Sequence, residues 1–129
     1  MEVIMVKNDL LYTESHEWVE LIGDEAVIGI TDYAQHELGD IVYVELPEIG
    51  ENVEKGEGFG SVEAVKAVED ILSPVSGEVI AINEELEDKP ELLNSDAFGD
   101  GWIIKVRLTN KDELEDLLKA DKYKDLIEG

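Results

Sequence analysis

With 129 residues, 43% of them hydrophobic, and no cysteine, the chain is long enough for one packed domain and can form neither a disulfide nor a thiolate metal site. Ten Lys plus Arg face 33 Asp plus Glu, a net charge of −23, which repels phosphate backbones and anionic lipid and so argues against nucleic-acid and membrane roles. The same acidity fits solubility, a saline or hot habitat, or steering toward basic patches on partners. The opening MEVIMVKND is too short and too acidic for a signal or transit peptide, and apolar runs extend only a few residues. A prokaryotic cytoplasmic protein is expected, ahead of a processed mitochondrial matrix protein.

Glu17 to Ile22 and Ala26 to Ile30 are β-rich runs separated by Gly23 and Asp24, which predicts a hairpin. Asp32 is the expected cap of a short helix, with Gln35 as its capping-box partner and Gly39 as its stop. From Ile41 to Leu46, apolar side chains fall on both alternating faces, so a strand covered in part on both sides is expected. Pro47, Gly50, Gly56, Gly58 and Gly60 then punctuate short segments in the manner of a small sandwich or barrel. Trp102 to Leu108 is the clearest later strand. Asn110 with Glu113 forms a capping-box pattern ahead of a helical stripe of Leu114, Leu117 and Leu118. A second short helix is expected after Asp121, with Tyr123, Leu126 and Ile127 as anchors.

Gly39-Asp-Ile-Val-Tyr-Val44 and Gly77-Glu-Val-Ile-Ala-Ile82 share a glycine, an acid and a β-branched run, 38 residues apart. The repeat fits two half-domains arranged around Lys66, and it also fits simple convergence on strand-plus-turn composition. Lys66 lies between the two copies, in GSVEAVKAVEDILSPVSG (Gly60 to Gly77), as a single lysine between short apolar runs flanked by acids. That pattern suits a modification site better than a catalytic centre. An independent enzyme would need a nucleophile with its base or a phosphate loop, and the chain offers neither as a motif. Two histidines far apart make no metal motif, and His16 is expected to be a structural hydrogen-bonding residue.

Several segments, in order, carry a family pattern: Tyr12-Thr-Glu-Ser-His-Glu-Trp-Val19, Gly29-Ile-Thr-Asp-Tyr-Ala-Gln35, Leu38-Gly-Asp-Ile-Val-Tyr-Val-Glu-Leu-Pro47, Pro74-Val-Ser-Gly-Glu-Val79, Pro90-Glu-Leu-Leu-Asn94 and Gly101-Trp-Ile-Ile-Lys-Val106. From about Leu11 to the C-terminal helix the chain resembles the glycine cleavage system H proteins, which are lipoyl carriers. The resemblance implies a mainly β fold, a lipoyl-domain-like barrel-sandwich hybrid with a short N-terminal extension and C-terminal helices. The expected division is an extension at residues 1–12, a lipoyl-binding domain at 13–109 with its core at about 25–107, and a helical segment at 110–129 packing on the sandwich.

By resemblance, Lys66 is the site of covalent lipoyl attachment, one group per chain, at the tip of a tight hairpin. Ala64-Val65-Lys66-Ala67 lacks the Asn-Gly or Gly of favoured two-residue hairpins, and a type I turn tolerates it. Glu63, three residues before the lysine, inherits a role in recognition by lipoylating enzymes and frames the site with Ala67. Ser15, Glu17 and Asp70 match positions of a cleft that shelters the loaded arm, where they would hydrogen-bond or pair with its amine. Ile30, Ala34 and Leu38 would form the apolar wall, and they fit plain core as well. Ala64 departs from the serine common in the family at that position.

The resemblance further implies a non-enzymatic, swinging-arm role in glycine catabolism and one-carbon metabolism. The pyridoxal-phosphate P protein decarboxylates glycine and loads the aminomethyl group on the arm, the T protein passes the carbon unit to tetrahydrofolate, and the L protein reoxidises the dithiol. A monomer that forms transient complexes is expected, since a carrier serving several enzymes must release each one. The alternative is an octanoyl or lipoyl relay protein of lipoate assembly that uses the same lysine. Linkers and an acyltransferase domain, usual beside dehydrogenase-complex lipoyl domains, are not seen in the sequence.

Overall fold

The hairpin expected near the N-terminus forms as β2 (Glu17–Ile22) and β3 (Glu25–Ile30), in register from Glu17 opposite Ile30 to Ile22 opposite Glu25, with Gly23 taking φ 66° in the turn. In the computed structural model, which describes residues 4–128, the remaining strands are β1 (Leu11–Tyr12), β4 (Ile41–Glu45), β5 (Asn52–Val53), β6 (Gly58–Ala64), β7 (Val68–Leu72), β8 (Gly77–Ile82), β9 (Ile104–Leu108) and β10 (Leu118–Lys119). The helices are α1 (Asp32–Leu38), α2 (Glu85–Asp88), α3 (Leu92–Ser95) and α4 (Ala120–Glu128). Met1 to Val3, the start of the expected extension, and Gly129 lie outside the described residues.

The strands build two antiparallel sheets. Seven run in the order β10-β1-β2-β3-β9-β8-β5, and three in the order β4-β6-β7. Val19, Ile28, Val79, Ile104 and Val106 of the large sheet share one core with Ile41, Val44, Val62 and Ile71 of the small one. Each fully buried side chain of this kind stabilises the fold by about 1.5–3 kcal/mol over an exposed one. The other face of the large sheet is also covered: Tyr12, Trp18 and Val27 pack with Leu10, Ala120 and Tyr123. Double coverage explains why Ala26 to Ile30 are all buried, without the alternation of a half-exposed strand. The two copies of the repeated segment fall in different sheets, as β4 and β8.

Four local expectations are corrected by the structure. Thr31, not Asp32, caps α1: its hydroxyl accepts from the Ala34 amide at 3.2 Å, while Asp32 accepts from the Gln35 side chain at 2.8 Å. Asn110 does cap the following turn through the Asp112 amide, but Glu113 reaches across to the amide and hydroxyl of Ser76 at 2.7 and 2.8 Å instead of back to its own cap. Lys111–Asp116 is accordingly a 3-10 helix, and Leu118 belongs to β10 and not to a helical stripe. In β4 the register shifts between Ile41 and Tyr43, so Val42 is a bulge residue. The extra residue puts Ile41 and Val44 inside while Val42 and Tyr43 both face solvent, which removes the two-sided cover expected from alternation.

Smaller shifts concern element ends. The ladder of β9 begins at Ile104, and just before it the Ile103 amide donates to the Ile28 carbonyl at 2.8 Å while its carbonyl accepts from the Asn83 amide at 3.0 Å. The last helix starts at Ala120, with Tyr123 fully buried, Ile127 half-buried and Leu126 exposed.

Candidate functional site

Strands β6 and β7 form a hairpin whose tip is Val65-Lys66, with Glu63 opposite Val68 in the last ladder pair. The Ala64 amide donates to the Ala67 carbonyl at 2.8 Å, closing the turn. Among the described residues other than glycine, only His16 has positive φ, so the tip is not a type I′ turn and needs no glycine. The turn is held from outside as well: the Val65 amide donates to the Asp40 carbonyl at 3.1 Å, tying the tip to the loop between α1 and β4.

Lys66 is exposed at this tip, and among the described residues no ion pair engages it. Its stem passes over Gly39, where a methyl group would meet the Lys66 Cε at 3.7 Å. Gly39 ends α1 at φ 81° and ψ −154°, a conformation open essentially to glycine alone. Glu63 is exposed on the outer face of the small sheet, and Ala67 is half-buried.

Beside the tip lies a cleft of about 350 Å³ between β7, the Ser15-His16-Glu17 turn and α1. Ser15, Glu17, Ile30, Ala34, Leu38 and Asp70 all line it, together with Ala67 next to the lysine. Glu63 does not, because it points to the opposite side of the hairpin from the core. One wall is apolar, from Ile30, Ala34 and Leu38. The other carries hydroxyl and carboxylate groups.

Glu17 sits at the floor, 3% exposed. Its Oε1 accepts from the hydroxyls of Ser15 and Thr13 at 2.5 and 2.7 Å, and its Oε2 from the Leu72 amide at 3.4 Å. Burial pushes its pKa up, against the lowering effect of these donors. The Leu72 contact also joins the large sheet to the small one. His16 lines the cleft as well and takes φ 72°; its Nδ1 lies 2.9 Å from the Tyr123 hydroxyl, and its ring packs against Tyr33 with centroids 4.7 Å apart. Burial holds the imidazole pKa below its ordinary value, and the nearby Glu37 carboxylate partly opposes this.

Tyr33 and Glu37 were not singled out from sequence, yet both line the cleft, with the Tyr33 hydroxyl donating to Glu37 at 3.3 Å. The signal was available: once Ala34 and Leu38 are placed on a helix facing the cleft, the i, i+4 pair beside them shares that face. Among the described residues no cluster suits a metal ion, and no helix is long and apolar enough to cross a membrane.

Residues 10–129 match the family model described as glycine cleavage H-protein. The chain belongs to the glycine cleavage H-protein family. It is 56% identical over 123 residues to the probable glycine cleavage system H protein of Haloarcula marismortui, covering 95% of this chain and 97% of that one. To the glycine cleavage system H protein of Staphylococcus carnosus it is 53% identical over 122 residues, with 95% and 97% covered. Its fold is similar to the crystal structure of a glycine cleavage system H protein from Mycobacterium marinum, with a TM-score of 0.87 and 36% identity over 96% of this chain and all of that one. The two-sheet architecture is thus the lipoyl-domain-like barrel-sandwich of this family.

Proposed function

We propose that this chain is a non-enzymatic carrier of glycine cleavage, bearing one lipoyl group in amide linkage on Lys66 and taking the aminomethyl group of glycine from the P protein to the T protein, with the L protein restoring the disulfide. The observation that carries the reading is an exposed lysine, in no ion pair among the described residues, at a rigid hairpin tip next to a cleft with one apolar and one acidic wall. The residues present fit the group. An acyl chain attached at the Lys66 Nζ has an apolar wall in reach at Ile30, Ala34 and Leu38, and the lysine stem already lies over Gly39, which bears no side chain to obstruct it.

When bound, a lipoyl group supplies a dithiolane that opens to two thiols, one of which can hold a one-carbon unit. The chain's own residues position and shelter. Ser15, Glu17 and Asp70 offer oxygen acceptors to a cationic amine, and the low-dielectric floor around Glu17 strengthens each such contact. Ladder bonds and the Asp40 contact keep the tip fixed, so that only the attached arm need move. Tethering holds the carried unit at high effective concentration near each enzyme visited. Glu63, outside the cleft, remains available to a lipoylating enzyme. The bacterial and archaeal relatives support a cytoplasmic setting, and short-lived complexes of a monomer suit the role.

The test is intact mass with peptide mapping on the chain co-expressed with a lipoate ligase and lipoate, beside Lys66→Arg. A lipoyl increment confined to Lys66 and absent from the variant is expected, followed by loading with glycine and P protein. A bare Lys66, while another lipoyl domain in the same cells is modified, overturns the carrier reading.

A further inference from the structure

The Glu17 carboxylate stands between two cavities. A second one, of about 340 Å³, lies between the turn joining β1 to β2, the loop after β5 and the end of β7, and it shares only Ser15 and Glu17 with the cleft. Thr13 lines the second cavity and not the cleft, so it stands behind the carboxylate as seen from the cleft. It is bound to Glu17 three times: its amide donates to the Glu17 carbonyl at 3.0 Å, its Oγ1 accepts from the Glu17 amide at 3.0 Å, and its hydroxyl donates to Glu17 Oε1 at 2.7 Å. Its carbonyl accepts from the His16 amide at 3.2 Å, and a β-branched side chain has little χ1 freedom, so the hydroxyl is held in place.

Proton accounting then decides what the cleft offers. Each hydroxyl carries one proton, and those of Thr13 and Ser15 both go to Oε1. The two hydroxyl oxygens are 3.2 Å apart, a contact to which neither then gives a proton. Ser15 therefore turns only lone pairs toward the cleft, and Oε2, which has the Leu72 amide at 3.4 Å, is the other acceptor. A pair of acceptors backed by a carboxylate suits a primary ammonium, which donates and never accepts, and it repels a carbonyl or a second carboxylate.

We infer that Thr13 is a positioning residue for the loaded arm: from behind, it commits Glu17 Oε1 and so aims Oε2 and the Ser15 oxygen, as a pair of acceptors, at a primary ammonium in the cleft. The inference rests on the carrier reading and adds a residue outside the cleft that sets which carried group is retained. Ser15 is exposed, whereas Thr13 is half-buried and bonded through its amide, its carbonyl and its hydroxyl, so the rigid donor is Thr13. Without that hydroxyl, one donor fewer offsets the burial of charge on Glu17, and the protonated acid gains. A protonated Glu17 turns a donor toward an ammonium, which is repulsive where the carboxylate was bonded.

The experiment compares the full-length wild type with Thr13→Val, which keeps the shape and loses the hydroxyl, and Thr13→Ser, which keeps the hydroxyl. Val79→Ala, a truncation of a buried side chain in β8 that lines neither cavity, is the control for lost stability. Each lipoylated chain is loaded with glycine and P protein, the P protein is removed, and the ammonium released to water is followed. Thr13→Val is expected to release it about tenfold faster, the worth of one hydrogen bond to a charged group, while Thr13→Ser and Val79→Ala stay with wild type. A second readout needs no arm: the Glu17 carboxyl carbon, titrated by NMR in the unlipoylated chains, moves to higher pH in Thr13→Val and not in Thr13→Ser. His16, Glu37, Glu69 and Asp70 around the cleft, and Glu14, Lys55 and Asp116 around the second cavity, are the same in all these chains, so the displacement reports the Thr13 bond. Release from Thr13→Val at the rate of wild type or of Val79→Ala, a Glu17 midpoint that does not rise, or Thr13→Ser as leaky as Thr13→Val overturns the role. A wild-type chain that cannot be loaded sinks the carrier reading and this role together; a loaded wild type beside an unchanged Thr13→Val sinks the positioning role alone.

Discussion

The Tyr123 hydroxyl lies 2.6 Å from the Thr31 Oγ1, so the C-terminal helix is hydrogen-bonded to the residue that caps α1. The same hydroxyl is 2.9 Å from His16 Nδ1, which places it at the junction of the cleft turn, the cleft helix and α4. The Tyr123 ring stacks on Tyr12 with centroids 4.5 Å apart. Burial holds the Tyr12 phenol up at about 12 and raises that of Tyr123 further, so both hydroxyls stay protonated in any physiological buffer. Tyr123→Phe keeps the stacked ring and removes only the shared hydroxyl. It is expected to cost about 1–3 kcal/mol, because His16 and buried Thr31 each lose a partner, and urea denaturation at constant m-value checks it.

The cleft couples stability to pH through two groups of opposite sign. His16 has a folded pKa below 6.5, so its contribution is complete above 6.5 and is lost as pH falls through the folded value, the unfolded chain taking the proton first. Glu17 has a folded pKa above 4.5, so its contribution is complete below 4.5 and is lost as pH rises through the folded value. In acid the two effects oppose. His16→Asn, which tolerates the positive φ, should remove the loss of stability just below pH 6.5, while Glu17→Gln should make that loss steeper. Denaturant midpoints measured from pH 4 to 8 decide; parallel curves for wild type and both variants would refute the assignment.

Gly29 stands opposite Trp18 in the β2–β3 ladder, and a methyl group there would lie 2.6 Å from the indole ring. The ring cannot yield cheaply, being 2% exposed with its Nε1 donating to the Ala97 carbonyl at 3.0 Å. Gly29→Ala is expected to cost about 1–3 kcal/mol and to lower Tm, with Trp18 fluorescence reporting the displaced ring.

How much of this was legible in the chain depends on the range of the interaction. The β2–β3 hairpin and the helix ending at Gly39 are specified by neighbours in sequence, and the periodicity with the permissive glycines shows them. The bulge at Val42 is a register event between β4 and β6, invisible in the pattern of one strand. Thr31 displaced Asp32 as cap because Tyr123, distant in sequence, fixes the Thr31 hydroxyl in place. Among so many acids nothing local distinguishes buried Glu17 from its exposed neighbours; the family pattern named it, and its donors come from Thr13, Ser15 and the distant Leu72. The hairpin tip itself was placed by resemblance alone, since its turn residues are unremarkable and the bond to Asp40 that steadies it comes from outside the hairpin.

That outside support has its own anchor in Asn94, at α3. Its Oδ1 accepts from the Ile41 amide at 3.0 Å, and its Nδ2 donates to the Gly39 carbonyl and to Gln35 Oε1, both at 2.9 Å. The loop so clamped is the one that holds Val65 through Asp40 and over which the Lys66 stem passes. Asn94→Asp keeps the acceptor for Ile41 but turns a carboxylate oxygen toward two acceptors, which is repulsive where the amide was bonded. A loss of about 1–3 kcal/mol is expected, with amide exchange at Val65 accelerated well beyond what the fall in global stability accounts for. Exchange at Val65 that slows or stays in step with the β2–β3 amides would show that the clamp does not reach the tip.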